Sequence, residues 1–197
     1  MKKLLLLLVL GSTLTGCANV RLISSDVSSY SQWNEKKVTP KTFVFERLPS
    51  QNANPKLQDD LESAALPALE RAGLKWIDHG TPDLQIQVSG KRTMYNPSSY
   101  DNWGPRMGVG GFYGGRRTTG AGFFYSMHDM ESDTYVFDVS VIMRDSKTKD
   151  VVYETRAHHE GVWSDRNVRK ALFDAALKDY PNAWSGSHRV DIEVPRQ

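Results

Sequence analysis

TYVFDVSVIMRDSKTKDVVYETRAHHEGVW, residues 134–163, holds two alternating runs separated by a polar turn. In the first run Tyr135, Phe137, Val139, Val141 and Met143 fall on every second position, so they share one face of a strand. Ser146 to Lys149 make the turn, and residues 151–163 return as the second strand of a hairpin. A hairpin with one apolar face needs a layer that covers it. Working outward, the chain offers such cover on both sides.

Downstream, Ser164 or Asp165 stands at a helix N-cap position. Val168, Leu172, Ala175 and Ala176 form the buried stripe, and Pro181 ends the helix. RVDIEV, residues 189–194, alternates again and reads as an edge strand. Upstream, LQIQVSGKRTMY (84–95) sets Leu84, Ile86 and Val88 against Gln85, Gln87 and Ser89. LKWI (74–77) is a short strand. Before it, Asn54 and Pro55 open a helix whose stripe is Leu57, Leu61, Ala64, Ala65, Ala68, Leu69 and Ala72. Gly73 suits a left-handed cap, and Pro67 predicts a kink or break inside this helix. KTFVFERL (41–48) is a further strand. Residues 19–33, NVRLISSDVSSYSQW, read either as a tether or as a first strand. Residues 96–122 form a long irregular insertion with eight of the chain's fifteen glycines. The expected fold is α+β: a single, mostly antiparallel sheet with two helices packed on one face and a long Gly-rich loop. Residues 34–197 would form one domain, with 17–33 leading into it.

The N-terminus, MKKLLLLLVLGSTLTGC, has a basic start at Lys2 and Lys3 and an apolar run from Leu4 to Leu10. That run is far short of the ~20 residues needed to cross a bilayer and reads as a secretory signal over residues 1–16. Leu14-Thr15-Gly16-Cys17 resembles a bacterial lipobox. The resemblance implies a diacylglycerol on the Cys17 sulfur, cleavage before it, and acylation of the new N-terminus. Cys17 is the one cysteine of the chain, so no internal disulfide forms, and a thioether to lipid accounts for an odd exported thiol. Ala18 in place of Asp resembles the sorting pattern of outer-membrane lipoproteins. The full chain carries a formal +2, and losing Lys2 and Lys3 leaves 23 basic against 23 acidic residues. A neutral exported chain has no long-range field for nucleic acid.

In their order, several segments resemble the bacterial lipoproteins grouped as domain of unknown function 4136. These are the lipobox, KTFVFERLP, the helix ending LERAGL, PDLQIQVSG, the Gly/aromatic insertion, the hairpin VFDVSVIMRDSKTKDVVYETRA and the last helix ending at Tyr180-Pro181. The resemblance implies an envelope lipoprotein with a compact α+β domain. It brings no catalytic residues.

Signatures of chemistry are sparse. GVGGFYGG (108–115) is not followed by a helix start or a Lys-Ser/Thr pair, so it does not fit a phosphate loop. No serine sits in a G-x-S-x-G elbow. His158 and His159 are adjacent and point to opposite faces of a strand. Glu154, Arg156 and His158 share its polar face, where pairing with Asp138 is expected. Asp129, Glu131 and Asp133 match the first ligands of a calcium loop, but Thr134 and Ser140 stand where glycine and glutamate belong. No metal site, cofactor or catalytic residue is expected.

The Gly-rich insertion remains. Trp103, Phe112, Tyr113, Phe123, Phe124 and Tyr125 occur there with Arg106, Arg116 and Arg117. It reads either as a plain connection whose flanking aromatics cap the core, or as a contact surface, since such residues suit protein interfaces and membrane interfaces. The expectation is a non-catalytic binding or structural module. It is anchored in the outer membrane through lipid on Cys17 and faces the periplasm. Its partner would be an envelope protein, peptidoglycan or lipid, and not nucleic acid. The alternative is an auxiliary lipoprotein of a lipid or small-molecule transport system, which calls for an apolar cavity between sheet and helices. An enzyme would need convergent titratable residues with displaced pKa values.

Overall fold

In a computed structural model of the chain, residues 20–33, 42–95, 107–111, 121–125 and 133–196 are described. Cys17, Trp103, Arg106, Phe112, Tyr113, Arg116 and Arg117 lie outside the described residues, as do Asp129 and Glu131. The elements run in the order β1 (Val20–Ser31), β2 (Thr42–Phe45), α1 (Pro49–Asn52), α2 (Pro55–Arg71), β3 (Lys75–Trp76), β4 (Leu84–Tyr95), β5 (Met107–Gly111), β6 (Ala121–Tyr125), β7 (Thr134–Asp145), β8 (Val151–Gly161), α3 (Arg166–Ala176) and β9 (Ser187–Pro195).

The hairpin is β7–β8, antiparallel from Tyr135↔Gly161 to Arg144↔Val151, with an irregularity between Met143 and Arg144. Asp145 Oδ1 closes its turn by accepting from the amides of Lys147 (2.8 Å) and Thr148 (3.1 Å). Among the described residues the sheet has seven strands in the order β3-β2-β4-β7-β8-β1-β9. Of the two readings of residues 19–33, the stretch from Val20 on forms a strand, paired on one side with β8 and on the other with β9. The tail strand β9 is at the sheet edge.

The expectation of a mostly antiparallel sheet with two helices is overturned. The sheet is mixed, because β2 runs parallel to both β3 and β4. The reason is the strand–helix–strand order of residues 42–86: a helical crossover returns the chain to start a second strand in the same direction. Among the described residues there is also a third helix, the four-residue α1, where Ser50, Gln51 and Asn52 have turn composition. Its position follows from a hydrogen-bonding need. β2 ends at Phe45, paired with Ile86, and Glu46 N still donates to Ile86 O (2.9 Å). The next carbonyl along that edge of β4, Val88 O, lies beyond β2. Gln51 Nε2 of α1 (2.8 Å) and Gln58 Nε2 of α2 (3.2 Å) donate to it.

Helix α2 starts as read, with Asn54 Oδ1 accepting from Leu57 N (3.4 Å), and Gly73 follows its end at φ +86°. It runs through Pro67 without a break. Proline frees the carbonyl four residues back and costs about 3 kcal/mol in a helix interior. Burial of Leu61, Ala64, Ala65, Ala68 and Leu69 on the sheet offsets that cost. Asp165 is the N-cap of α3, its Oδ1 accepting from Asn167 N (2.8 Å). Within the insertion, β5 and β6 pair antiparallel from Met107↔Tyr125 to Gly111↔Ala121, so part of the segment read as irregular is a two-stranded sheet.

Helices α2 and α3 cover one face of the sheet. Phe43, Leu69, Ile86, Val141, Tyr153, Leu172 and Phe173 fill the layer between, each with essentially no exposed surface. Truncating Phe173 to alanine is expected to cost about 3–5 kcal/mol in urea unfolding, against under about 0.5 kcal/mol for Lys147→Ala on the exposed turn.

Candidate functional site

Among the described residues the other face of the sheet carries no helix, and its side chains are the polar half of each alternating strand. Register places them in rows. One row crosses five strands: Arg189 on β9, Asp26 on β1, His158 on β8, Asp138 on β7 and Lys91 on β4. Basic and acidic groups alternate along it, with the imidazole of His158 between two carboxylates. His158 Nδ1 is 2.7 Å from Asp138 Oδ1, and Arg189 Nε is 3.6 Å from Asp26 Oδ1. Opposite charges set directly across a ladder stabilise the pairing, each by roughly 0.2–1 kcal/mol. The neighbouring row is Ser187, Ser28, Arg156, Ser140 and Ser89. There Arg156 Nη2 reaches Glu154 Oε1 at 3.2 Å, while the hydroxyls of Ser89 and Ser140 bond one another at 2.7 Å. The two rows line a shallow depression of about 710 Å³.

Arg156, His158, Asp138 and Asp26 are each about half exposed or more. This wet surface offers guanidinium, carboxylate, imidazole and hydroxyl groups side by side, at spacings fixed by the ladder. It can bind a polar partner at several points. The expected pairing of His158 with Asp138 is found, and His159 does point to the other face, where it is buried with Nδ1 2.7 Å from Ser24 O. Among the described residues no group of three or more His, Cys, Asp or Glu stands close enough to hold a metal ion.

The groups with displaced pKa values stand elsewhere. Burial pushes the hydroxyls of Tyr153 and Tyr180 up to about 12; their rings meet edge to face at 5.0 Å under α3. Hydrogen bonds to Glu62, first, and to Asp59 hold the Arg47 guanidinium firmly charged beside α2. Asp165 is the fourth. Burial alone would raise its pKa, but the hydrogen bond from Arg21, with the Asn167 amide, outweighs that and lowers it. Arg21 lies at the start of β1, pairs with Asp165 and has its guanidinium 4.9 Å from the centre of the Trp163 ring. The start of β1 is thereby fixed to the N-terminus of α3.

Of the residues singled out in the insertion, Phe123, Phe124 and Tyr125 lie on β6, opposite Val109, Gly108 and Met107. Sequence reasoning found Arg156, His158, Asp138, Glu154 and Ser89 on the open face but missed Asp26, Lys91, Arg189, Ser28, Ser140 and Ser187. Their only signal is alternation within each strand, which says nothing of register.

The family model for domain of unknown function DUF4136 matches residues 26–182, and the chain belongs to that family. No curated protein matches it. Among solved structures it is similar to a PDZ domain protein from Parabacteroides distasonis. The TM-score is 0.51 at 18% identity, over 90% of this chain and 40% of that one, and the likeness is one of fold. The chain thus spans two fifths of that protein's length. A looser likeness is to PelC from Paraburkholderia phytofirmans, solved as a dodecamer. There the TM-score is 0.41 at 13% identity, over 78% of this chain and 95% of that one.

The Arg21–Asp165 pair gives a prediction with a definite sign. A carboxylate whose pKa is lowered on folding stabilises the fold above its unfolded value, ~3.9, and that contribution is lost as pH falls through the lowered folded value. Asp165→Asn keeps an N-cap acceptor but removes the charge that faces buried Arg21. It is expected to cost about 1–3 kcal/mol at pH 7, discounted because Asp165 is one-third exposed. The gap to wild type should close below about pH 4 in urea unfolding followed across pH.

Proposed function

We propose that the chain is an envelope lipoprotein, held in the outer membrane through lipid on Cys17 with its domain in the periplasm. On this reading it works by binding and not by catalysis. The observation that carries the binding reading is the one-sided helical cover of the sheet among the described residues. Two helices bury one face, and the other presents the two polar rows around Arg156 and His158. An uncovered face of hydroxyls and alternating charges suits a polar partner, an envelope protein or peptidoglycan, whose groups can replace the water now on it. The anchor reading rests on the lipobox at Leu14–Cys17 and the basic and apolar run before it.

The transport reading is less well supported. It asks for an apolar cavity between sheet and helices. Phe43, Leu69, Tyr153, Leu172 and Phe173 fill that layer, and the depressions of about 710 and 560 Å³ open on the polar side. The aromatic and arginine residues of the insertion, Trp103 to Tyr125, are a second candidate contact surface.

Two experiments test the proposal. Cys17→Ala should move the chain from the membrane fraction to the soluble fraction, and continued membrane association would end the lipid-anchor reading. In-cell crosslinking of the lipidated chain should capture a partner that is lost when Asp138→Lys and Arg156→Glu reverse the rows. A chain with residues 104–122 shortened should still capture it. Loss on shortening and not on reversal would transfer the contact to the insertion.

A further inference from the structure

We infer that the end of the sheet where β1 enters seats directly on the bilayer surface, so that side chains as well as lipid hold the domain there. The inference rests on the lipid-anchor reading of Cys17.

The first argument is reach. β1 begins at Val20, three residue steps after Cys17. At ~3.3–3.6 Å per residue the fully extended link spans at most about 11 Å. A lipidated sulfur in the membrane therefore keeps the start of β1 at the headgroup level.

The second argument is what lies at that end. The β4–β7 ladder brings Met94 and Tyr95 level with Tyr135 and Thr134, and β7–β8 brings Tyr135 level with Gly161. The β1–β8 ladder ends at Asp26↔His158, and beyond it β1 continues to Val20 and β8 to Gly161, next to Val162. Leu22, Val162 and Trp163 line one depression together. Val20, Leu22, Met94, Tyr95, Val162 and Trp163 thus occupy one end of the molecule, and each is between 46% and 64% exposed. Such a cluster has no role in the core. Its composition, aliphatic chains with a tryptophan and a tyrosine, is that of a membrane–water interface. Trp163 is held in place by the guanidinium of Arg21, whose own carboxylate partner caps α3.

The third argument is contrast. At the opposite end the β7–β8 turn presents Lys147, Lys149 and Asp150, all exposed. Tyr30 and Trp184 are exposed on that side too, which makes them an internal control.

The test uses the full lipidated chain, purified from membranes and placed in phosphatidylethanolamine–phosphatidylglycerol vesicles. With Cys17 blocked by lipid, single spin labels go on Leu22→Cys, Tyr95→Cys and Val162→Cys, with Lys147→Cys and Trp184→Cys as controls. Labels at positions 22, 95 and 162 should collide readily with oxygen and poorly with a water-soluble nickel chelate, and those at 147 and 184 the reverse. Nickel access equal at all five positions, with lipid on Cys17 verified by mass spectrometry, would overturn the seat and leave the anchor standing. Shielding at 184 in place of 162 would overturn it as well. A Cys17 found unmodified would remove both.

Discussion

The structure depends on where its first strand goes. β1 lies between β8 and β9, with six register pairs on one side and nine on the other. Without it the hairpin β7–β8 would end in an open edge, and β9 would have no strand to pair with. An unpaired edge of that length is an invitation to wrong partners. With β1 in place, the two ends of the domain meet at Val20↔Pro195, and α3 packs on a surface contributed by β1, β7, β8 and β9. Arg21 draws the same strand against the helix cap. The N-terminal segment is the piece that turns a hairpin and two helices into a domain.

The second constraint is that, among the described residues, the sheet has helical cover on one side only. Apolar side chains along β4, β7 and β8 are satisfied by α2 and α3, and the edge left by short β2 is sealed by Gln51 and Gln58 on the carbonyl of Val88. Pro67 is tolerated because the burial that α2 gains on this face outweighs one lost hydrogen bond. The opposite face is stabilised by cross-strand pairs instead, and Asp26, Asp138, Arg156 and His158 on it remain about half exposed or more.

Much of this was legible in the residues. Alternation in β4, β7 and β8 and the stripes of α2 and α3 are strong periodic signals, and the caps at Asn54 and Gly73 are where their chemistry places them. β1 was ambiguous for a physical reason: its inward positions include Arg21 and Ser25, so polar residues interrupt the apolar alternation with Ile23 and Val27. The parallel pairings of β2 escaped because direction and neighbour order are not written in period. α1 escaped because PSQN has turn composition and becomes helix where Gln51 can reach Val88. The rows on the open face were legible only in part: Glu154, Arg156, His158, Ser89 and the pairing with Asp138 follow from alternation, whereas Asp26, Lys91 and Arg189 come from distant segments aligned only by register.

The placement of β1 also has a mechanical consequence. A lipid anchor at Cys17 would pass any tension between membrane and domain into Val20 and along the strand axis. β1 pairs antiparallel with β9 from Val20 to Ser28 and with β8 from Asp26 to Ser31, so that tension loads these ladders in shear, many bonds at once, and does not peel them one at a time. A domain tethered this way resists being pulled off by its leash, and the element that bears the load is the one that holds the sheet together.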